Sequence, residues 1–206
     1  MNSSRASLRT ARPRIAPGSP RHGRRASHIV GLAEIASGNE SAEADQSPES
    51  AIVEIEDARA AGAVDHLDAG WMANQLRRAI GVIDHPVARV SVRLIDETQM
   101  KTMHQQALGD AIVTDVLSFD ASTDNNSIEA DIAVCVDVAR RESSARNHSV
   151  ERELLLYALH GLLHCCGYDD HDEAGYQAMH AEEDRILSAI GVGPTFADYG
   201  DPLDRD

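Results

Sequence analysis

Residues 154–171 read LLLYALHGLLHCCGYDDH, an apolar run that ends in a polar turn. The run predicts a buried helix, on which His160 and His164 lie four positions apart. This spacing puts both imidazoles on one helical face, with Cβ atoms about 5–6 Å apart. Gly167 follows, a residue type that often ends helices in the left-handed conformation. The chain then turns back and brings His171 within reach of the other two histidines.

Three histidines in this pattern predict a zinc site. Zinc accepts imidazole nitrogens at about 2.0–2.1 Å, and three protein ligands with one open position are typical of catalytic zinc. Water bound there ionises near pH ~7 instead of ~15.7. The plain alternative is a pair of hydrogen-bonded histidines on a Leu-rich helix, and the third histidine at turn distance argues against it. We therefore predict one Zn²⁺ per chain, held by His160, His164 and His171, and no nucleotide cofactor.

The catalytic residues stay unassigned at this stage. Zincin peptidases carry a glutamate directly after the first histidine as general base, and this chain has Gly161 there, which argues against an ordinary metalloprotease. Four other carboxylates are candidates for a base, although such residues are more often solvated or capping: Glu129, Asp131, Glu183 and Asp184. The seven remaining histidines are interpreted as surface or incidental residues: His22, His28, His66, His85, His104, His148 and His180.

Strand and helix patterns alternate around this stretch. Alternating or continuous apolar runs predict four strands, over residues 51–56, 88–95, 113–119 and 131–136. Helical periodicity and N-capping residues predict five helices, over residues 68–80, 96–107, 137–147, 149–165 and 173–190. This interleaving predicts an α+β (mixed α/β) domain, with a small mixed sheet of about four strands flanked by helices and a zincin-like metal helix.

Residues 1–50 differ in composition from the rest of the chain. They are rich in Ser, Arg, Pro, Gly and Ala, and hold seven arginines and five acidic residues. Such a segment buries too little apolar surface to offset its ordering entropy, so we predict a disordered or low-complexity extension. An idle tail, a misassigned start, an RNA-tethering arm and a transit peptide remain open for it. The domain that holds the predicted zinc site is expected over 51–198, followed by a polar tail, 199–206.

The overall composition restricts partners and location. A net charge of −15 opposes non-specific nucleic-acid binding, so any RNA role needs a local patch or a partner. The three cysteines, Cys135, Cys165 and Cys166, do not form a disulfide framework, and they favour a reducing, cytoplasmic location. No apolar run approaches the roughly 20 residues that span a bilayer, so no membrane partner is expected.

Four sequence blocks resemble the YbeY family of bacterial endoribonucleases, and they occur in family order. They are HGLLH with GYDDH over 160–171, TDVLSF over 114–119, ADIAV over 130–134, and Met179, Glu183, Ile186 and Leu187 in the last helix. The resemblance implies a single-strand-specific, zinc-dependent endoribonuclease of late 16S rRNA 3′-end maturation and ribosome quality control. Precursor rRNA of the small ribosomal subunit would be its substrate, with a ribosomal protein or an assembly GTPase as a further partner.

The third metal ligand departs from the family pattern. The family usually places its third histidine one residue closer, where this chain has Asp170. The resemblance makes His171 the equivalent residue. Asp170 is the alternative, because a carboxylate oxygen reaches zinc at a similar distance.

Leu108 is the second departure, since it occupies the place of a family arginine implicated in RNA cleavage. Leucine cannot bind phosphoryl oxygens as a guanidinium does. Either another cation serves, with Arg89, Arg93 and Lys101 nearby in the sequence, or nuclease activity is weak. The alternative function is a non-catalytic, zinc-stabilised ribosome-assembly factor that binds small-subunit proteins. A metal hydrolase of small or peptide substrates is a third interpretation.

Overall fold

A computed structural model describes residues 51–59, 65–123 and 126–196. The predictions for residues 1–50 and for the tail 199–206 lie outside these residues. The described strands are β1 (Ile52–Asp57), β2 (Val87–Ile95), β3 (Val116–Asp120) and β4 (Ile128–Cys135). The described helices are α1 (Ala69–Ile80), α2 (Glu97–Leu108), α3 (Val136–Arg146), α4 (Val150–Cys165) and α5 (Glu173–Ala189).

The strands form one mixed sheet in the order β1-β2-β4-β3. β1 and β4 both run parallel to β2, and β3 pairs antiparallel with β4. The predicted α+β fold, with a four-stranded mixed sheet and flanking helices, is confirmed.

Helix α4 is the central element of the core. All of its residues from Glu153 to Cys165 are buried, as expected of a helix that is apolar on every side. It packs on β3 and β4 and against α1, α3 and α5, whereas α2 contacts β4 from a separate apolar cluster. Because side chains alternate along a strand, Ile132 of β4 faces α4 and Ala133 faces α2. The sheet therefore separates α4 from α2.

Two strands begin three residues away from the predicted position, and the other two begin one residue away. β3 starts at Val116 instead of residue 113, because the Asp115 side chain accepts hydrogen bonds from Thr114 Oγ1 and Val116 N and forms a local turn. β4 starts at Ile128, three residues early, and passes into α3 without a linker. Among the described residues, no helix has the length and apolar character needed to cross a membrane.

Candidate metal centre

Helix α4 presents His160 and His164 to each other in the interior of the protein. Their Nε2 atoms are 3.1 Å apart, and their rings meet edge to face with centroids 4.6 Å apart. His160 is fully buried and His164 is 5% exposed. The structure thus brings together the two histidines whose spacing placed them on one helical face.

Gly161, between these histidines, lets α4 lie close to the sheet. A Cβ atom at this position would lie 3.1 Å from Ile132 Cγ2, 3.2 Å from Val116 Cγ2 and 3.3 Å from Ser118 Cβ. Optimal carbon–carbon contacts are about 3.5–4.0 Å. A glutamate here would force the helix away from the sheet, which agrees with the sequence argument against a zincin peptidase.

The turn after α4 orients His164 and brings a carboxylate to the pair. Gly167 has a φ of 99°, a left-handed conformation that glycine adopts readily. The reversal lets the Tyr168 carbonyl accept a hydrogen bond from His164 Nδ1 at 2.9 Å. Asp170 then places Oδ2 3.7 Å from His160 Nε2 and Oδ1 3.8 Å from His164 Nε2. A carboxylate therefore lies beside both imidazoles.

His171 lies on the outer side of this turn. Its side chain is 75% exposed, its Nδ1 contacts an Asp169 carboxylate oxygen, and 4.0 Å separates that nitrogen from Asp170 Oδ1. One group of potential ligands joins His160, His164 and Asp170, and a second joins Asp169, Asp170 and His171. In the observed arrangement the alternative third ligand, Asp170, stands with the two histidines. Which of the two residues binds a metal stays a prediction.

Glu183 of α5 holds the other edge of the His160 ring. Its Oε1 accepts a hydrogen bond from His160 Nδ1 at 2.6 Å, and its Oε2 accepts one from His180 Nδ1 at 2.6 Å. Glu183 is fully buried. Burial raises the pKa of Glu183, but the hydrogen bonds from the two histidines outweigh burial and hold the pKa below its ordinary value. Glu183, a candidate base in the sequence, is therefore an ionised support for a candidate ligand.

The interpretation of His180 and His104 as surface or incidental residues is wrong. His180 is 6% exposed and bonded to Glu183, and His104 is 7% exposed with its Nδ1 2.5 Å from Asp110 Oδ1. The sequence did hold a signal for His180. It lies three residues before Glu183 and seven before Leu187, on the helical face that α5 buries.

The two facing imidazoles have opposite pKa shifts. Burial lowers the pKa of His160, but the hydrogen bond and charge of Glu183, with the charges of Asp115 and Asp170, raise it above 6.5 overall. Burial, together with the charge of His160, lowers the pKa of His164 below that value. When the pair carries one proton between the Nε2 atoms, that proton therefore belongs to His160.

The donor set fits a zinc ion. Each Nδ1 donates to an oxygen that can only accept, so each neutral ring turns a lone pair on Nε2 toward the other ring. Two lone pairs 3.1 Å apart repel unless a proton or a metal ion lies between them. Tetrahedral zinc with bonds of about 2.0–2.1 Å separates its donor atoms by about 3.3 Å. The observed separations of 3.1, 3.7 and 3.8 Å are close to this value.

Asp115 is a buried carboxyl group near this centre, and sequence analysis found it only as part of a motif. Burial raises its pKa to about 6, although the Thr114 hydrogen bond and the His160 charge act in the opposite direction. A carboxyl group in this range can accept or release a proton near neutral pH. No sequence signal separates a buried aspartate before a strand from a solvated one.

The other three candidate bases have structural contacts. Arg89 donates to Glu129 at 3.2 Å and to Asp131 at 2.7 Å. Asp184 accepts hydrogen bonds from the backbone N–H groups of Thr195 and Phe196. These contacts explain the three carboxylates without catalysis, so the general base stays unassigned.

Comparisons with known proteins identify one family. The family model described as Endoribonuclease YbeY matches residues 64–191. Proteins named Endoribonuclease YbeY are similar to this chain: one from Staphylococcus saprophyticus is 35% identical over 113 residues, and one from Staphylococcus aureus strain JH9 is 36% identical over 115 residues. Each match covers 51% of this chain and 74% of the relative. A solution structure of a Thermotoga maritima protein matches with a TM-score of 0.47 and 22% identity, over 68% of this chain and 89% of the other.

Proposed function

The chain belongs to the YbeY family, and from this membership we propose that it is an endoribonuclease, a hydrolase that cleaves phosphodiester bonds in RNA. The observation that carries the proposal is the pair of Nε2 atoms 3.1 Å apart in the interior, with the Asp170 carboxylate beside them. Two neutral imidazole lone pairs this close repel unless a proton or a metal ion lies between them. A metal ion satisfies this set, and it gives the family activity a chemical basis.

We infer that His160 and His164 hold one Zn²⁺ per chain together with a third ligand from the turn at 169–171. The observed positions favour Asp170 for that ligand, and His171 remains its competitor. When bound, zinc supplies positive charge that stabilises the phosphate in the transition state and lowers the pKa of a water molecule.

Two hydrogen bonds orient the candidate histidine ligands before any metal binds. Glu183 fixes the His160 ring and the Tyr168 carbonyl fixes the His164 ring, so both lone pairs already face the metal position. Such outer contacts orient the ligands and raise their basicity.

The family resemblance supports a specific substrate. We propose that the enzyme cleaves single-stranded precursor 16S rRNA near its 3′ end in the cytoplasm, in late maturation and quality control of the small ribosomal subunit. The net charge of −15 does not favour tight binding to free RNA. A ribosomal protein or an assembly GTPase would therefore supply part of the affinity for the subunit.

The test compares the wild-type protein with His164→Ala. We expect wild type to contain one zinc per chain and to cleave a single-stranded RNA that carries the precursor 3′ end, and His164→Ala to lose both properties. His66→Ala is the matched control, because His66 is an exposed histidine before α1. Equal cleavage by wild type and His164→Ala would refute the proposed role of the metal.

Leu108 favours one alternative, a zinc-stabilised assembly factor without nuclease activity. Leu108 packs against the apolar cluster around α2, so it supplies contacts but no positive charge. Stoichiometric zinc, co-purification with small-subunit components and no RNA cleavage would together support this alternative.

A further inference from the structure

We propose that His180 is a positioning residue of the metal centre, which holds His160 in place through Glu183. The three side chains form a continuous line. His180 Nδ1 lies 2.6 Å from Glu183 Oε2, and Glu183 Oε1 lies 2.6 Å from His160 Nδ1. The inference rests on the metal site of the proposed function and assigns a role to a residue two hydrogen bonds away from it.

The hydrogen-bonded chain from His180 through Glu183 to His160 is buried along its whole length. The side chains of Glu183 and His160 are 0% exposed and that of His180 is 7% exposed. Hydrogen bonds to a charged group in such surroundings are short and strong. Water therefore has little access to the hydrogen bonds of these three side chains.

Two aromatic side chains fix the His180 ring. Phe196 stacks on it with centroids 3.7 Å apart and an angle of 29° between the planes, and Tyr176 meets its edge with centroids 4.1 Å apart. The ring is thereby held between two surfaces, and its Nδ1 is directed at Glu183. The rotation of the ring, and with it the direction of the donated hydrogen bond, is set by packing.

The second ring nitrogen of His180, Nε2, also supports a positioning role. Its Nε2 is buried and has no hydrogen-bond partner in the part of the chain that the structure describes. A buried nitrogen without a partner destabilises the fold. Packing alone would be better served by a phenyl ring, so the contact at Nδ1 is what this histidine contributes.

The geometry of Glu183 explains how the effect reaches the metal ligand. Each carboxylate oxygen has one histidine donor, so both oxygens are held and the plane of the group is fixed. Without His180, Oε2 would be a buried anionic oxygen that lacks this donor. Glu183 would turn toward another donor, and the His160 ring would lose the contact that directs Nε2 toward His164.

Two substitutions separate the hydrogen bond from the packing. His180→Phe keeps a ring between Tyr176 and Phe196 but removes the donor. His180→Asn removes the ring but places an amide N–H near the position of Nδ1. If His180 positions Glu183, His180→Phe weakens zinc binding about tenfold, the lower end for outer-shell partners, and His180→Asn stays within about threefold of wild type.

Zinc affinity is measured by competition with a chelator, and the visible spectrum of the cobalt-loaded protein reports ligand geometry. His104→Phe is the control, because it removes another buried histidine that is paired with a carboxylate. Circular dichroism of each metal-free variant verifies folding. The proposal is overturned if His180→Phe binds zinc as wild type does, or if His180→Asn binds as weakly as His180→Phe, since packing would then explain the effect.

A measurement on the metal-free protein separates failure of this inference from failure of the proposed function. The Nδ1 proton of His160 gives a downfield NMR signal when it is bonded to Glu183. We expect this signal in metal-free wild type and His180→Asn, and its loss in His180→Phe. If wild type binds no zinc, the proposed function fails, and this signal still decides whether His180 positions His160: its retention in His180→Phe would overturn the inference.

Discussion

Separate substitutions of Asp170 and His171 identify the third metal ligand. Asp170→Asn keeps the size of the side chain but removes the charge that makes a carboxylate oxygen a zinc ligand. His171→Ala removes a side chain that is 75% exposed, so it costs little packing. The two variants therefore compare ligands with little disturbance of the fold.

The expected magnitudes follow from the positions of the two residues. Structural zinc sites bind with about 10–16 kcal/mol over four ligands, so one ligand contributes on the order of 3 kcal/mol, roughly a hundredfold in Kd. The Asp170 oxygens lie 3.7 and 3.8 Å from the two Nε2 atoms, whereas His171 Nδ1 contacts Asp169. We expect Asp170→Asn to weaken zinc binding about a hundredfold. For His171→Ala we expect less than about fivefold, because exposed charged contacts contribute about 0–1 kcal/mol.

The assay is competition for zinc with a chelator near neutral pH. Asp169→Asn is the matched control, because Asp169 is an exposed aspartate in the same turn. A hundredfold loss in His171→Ala, with Asp170→Asn close to wild type, would refute the assignment of Asp170. It would also show that the turn rearranges when metal binds, and it would confirm the ligand expected from the family pattern.

Two further predictions concern pH and packing. Because the pKa of His160 is raised above 6.5, the metal-free pair keeps its proton to a higher pH than an ordinary histidine, and zinc must displace it. Zinc affinity should therefore fall about tenfold per pH unit below that pKa and level off above it; an affinity that does not change between about pH 5.5 and 8.5 would contradict this. Gly161→Ala should lower the free energy of unfolding by up to about 2 kcal/mol. Overpacking destabilises a core by about 1–3 kcal/mol, and the helical preference of alanine over glycine offsets roughly 1 kcal/mol of that loss. Gly70→Ala, where the nearest atom to the new Cβ would be 3.4 Å away, is the control in denaturant unfolding, and equal stability of the two variants would contradict the packing argument.

The sequence predicted the elements whose signals are local. The i,i+4 spacing of His160 and His164, the apolar character of α4 and the capping residues depend only on neighbouring positions. Asp96 is an example, since it caps α2 in a reciprocal pair with Gln99. For this reason the fold class and the central pair of the candidate site could be inferred before the structure was known.

The third ligand depends on packing that the sequence does not reveal. A Cβ atom on Gly175 would lie 2.1 Å from the Asp169 carbonyl oxygen, so this glycine lets the turn after α4 lie against the start of α5. That approach determines which side chains of the turn face inward. Asp170 and His171 are adjacent in sequence and chemically suitable for zinc, and tertiary contact directs one inward and the other outward.

The sheet separates the histidine pair from the three cations that were considered as substitutes for the family arginine. Arg93 of β2 pairs across the sheet with Ala133, whose side chain joins the apolar cluster of α2, so Arg93 points away from α4. Arg89 lies four residues earlier on the same face, and Lys101 is exposed on α2. The sheet thus lies between all three cations and the histidine pair. They are therefore poorly placed to stabilise a phosphate bound at that pair. Under the proposed function, these three cations therefore contribute little at the scissile phosphate, and a bound metal would supply positive charge there.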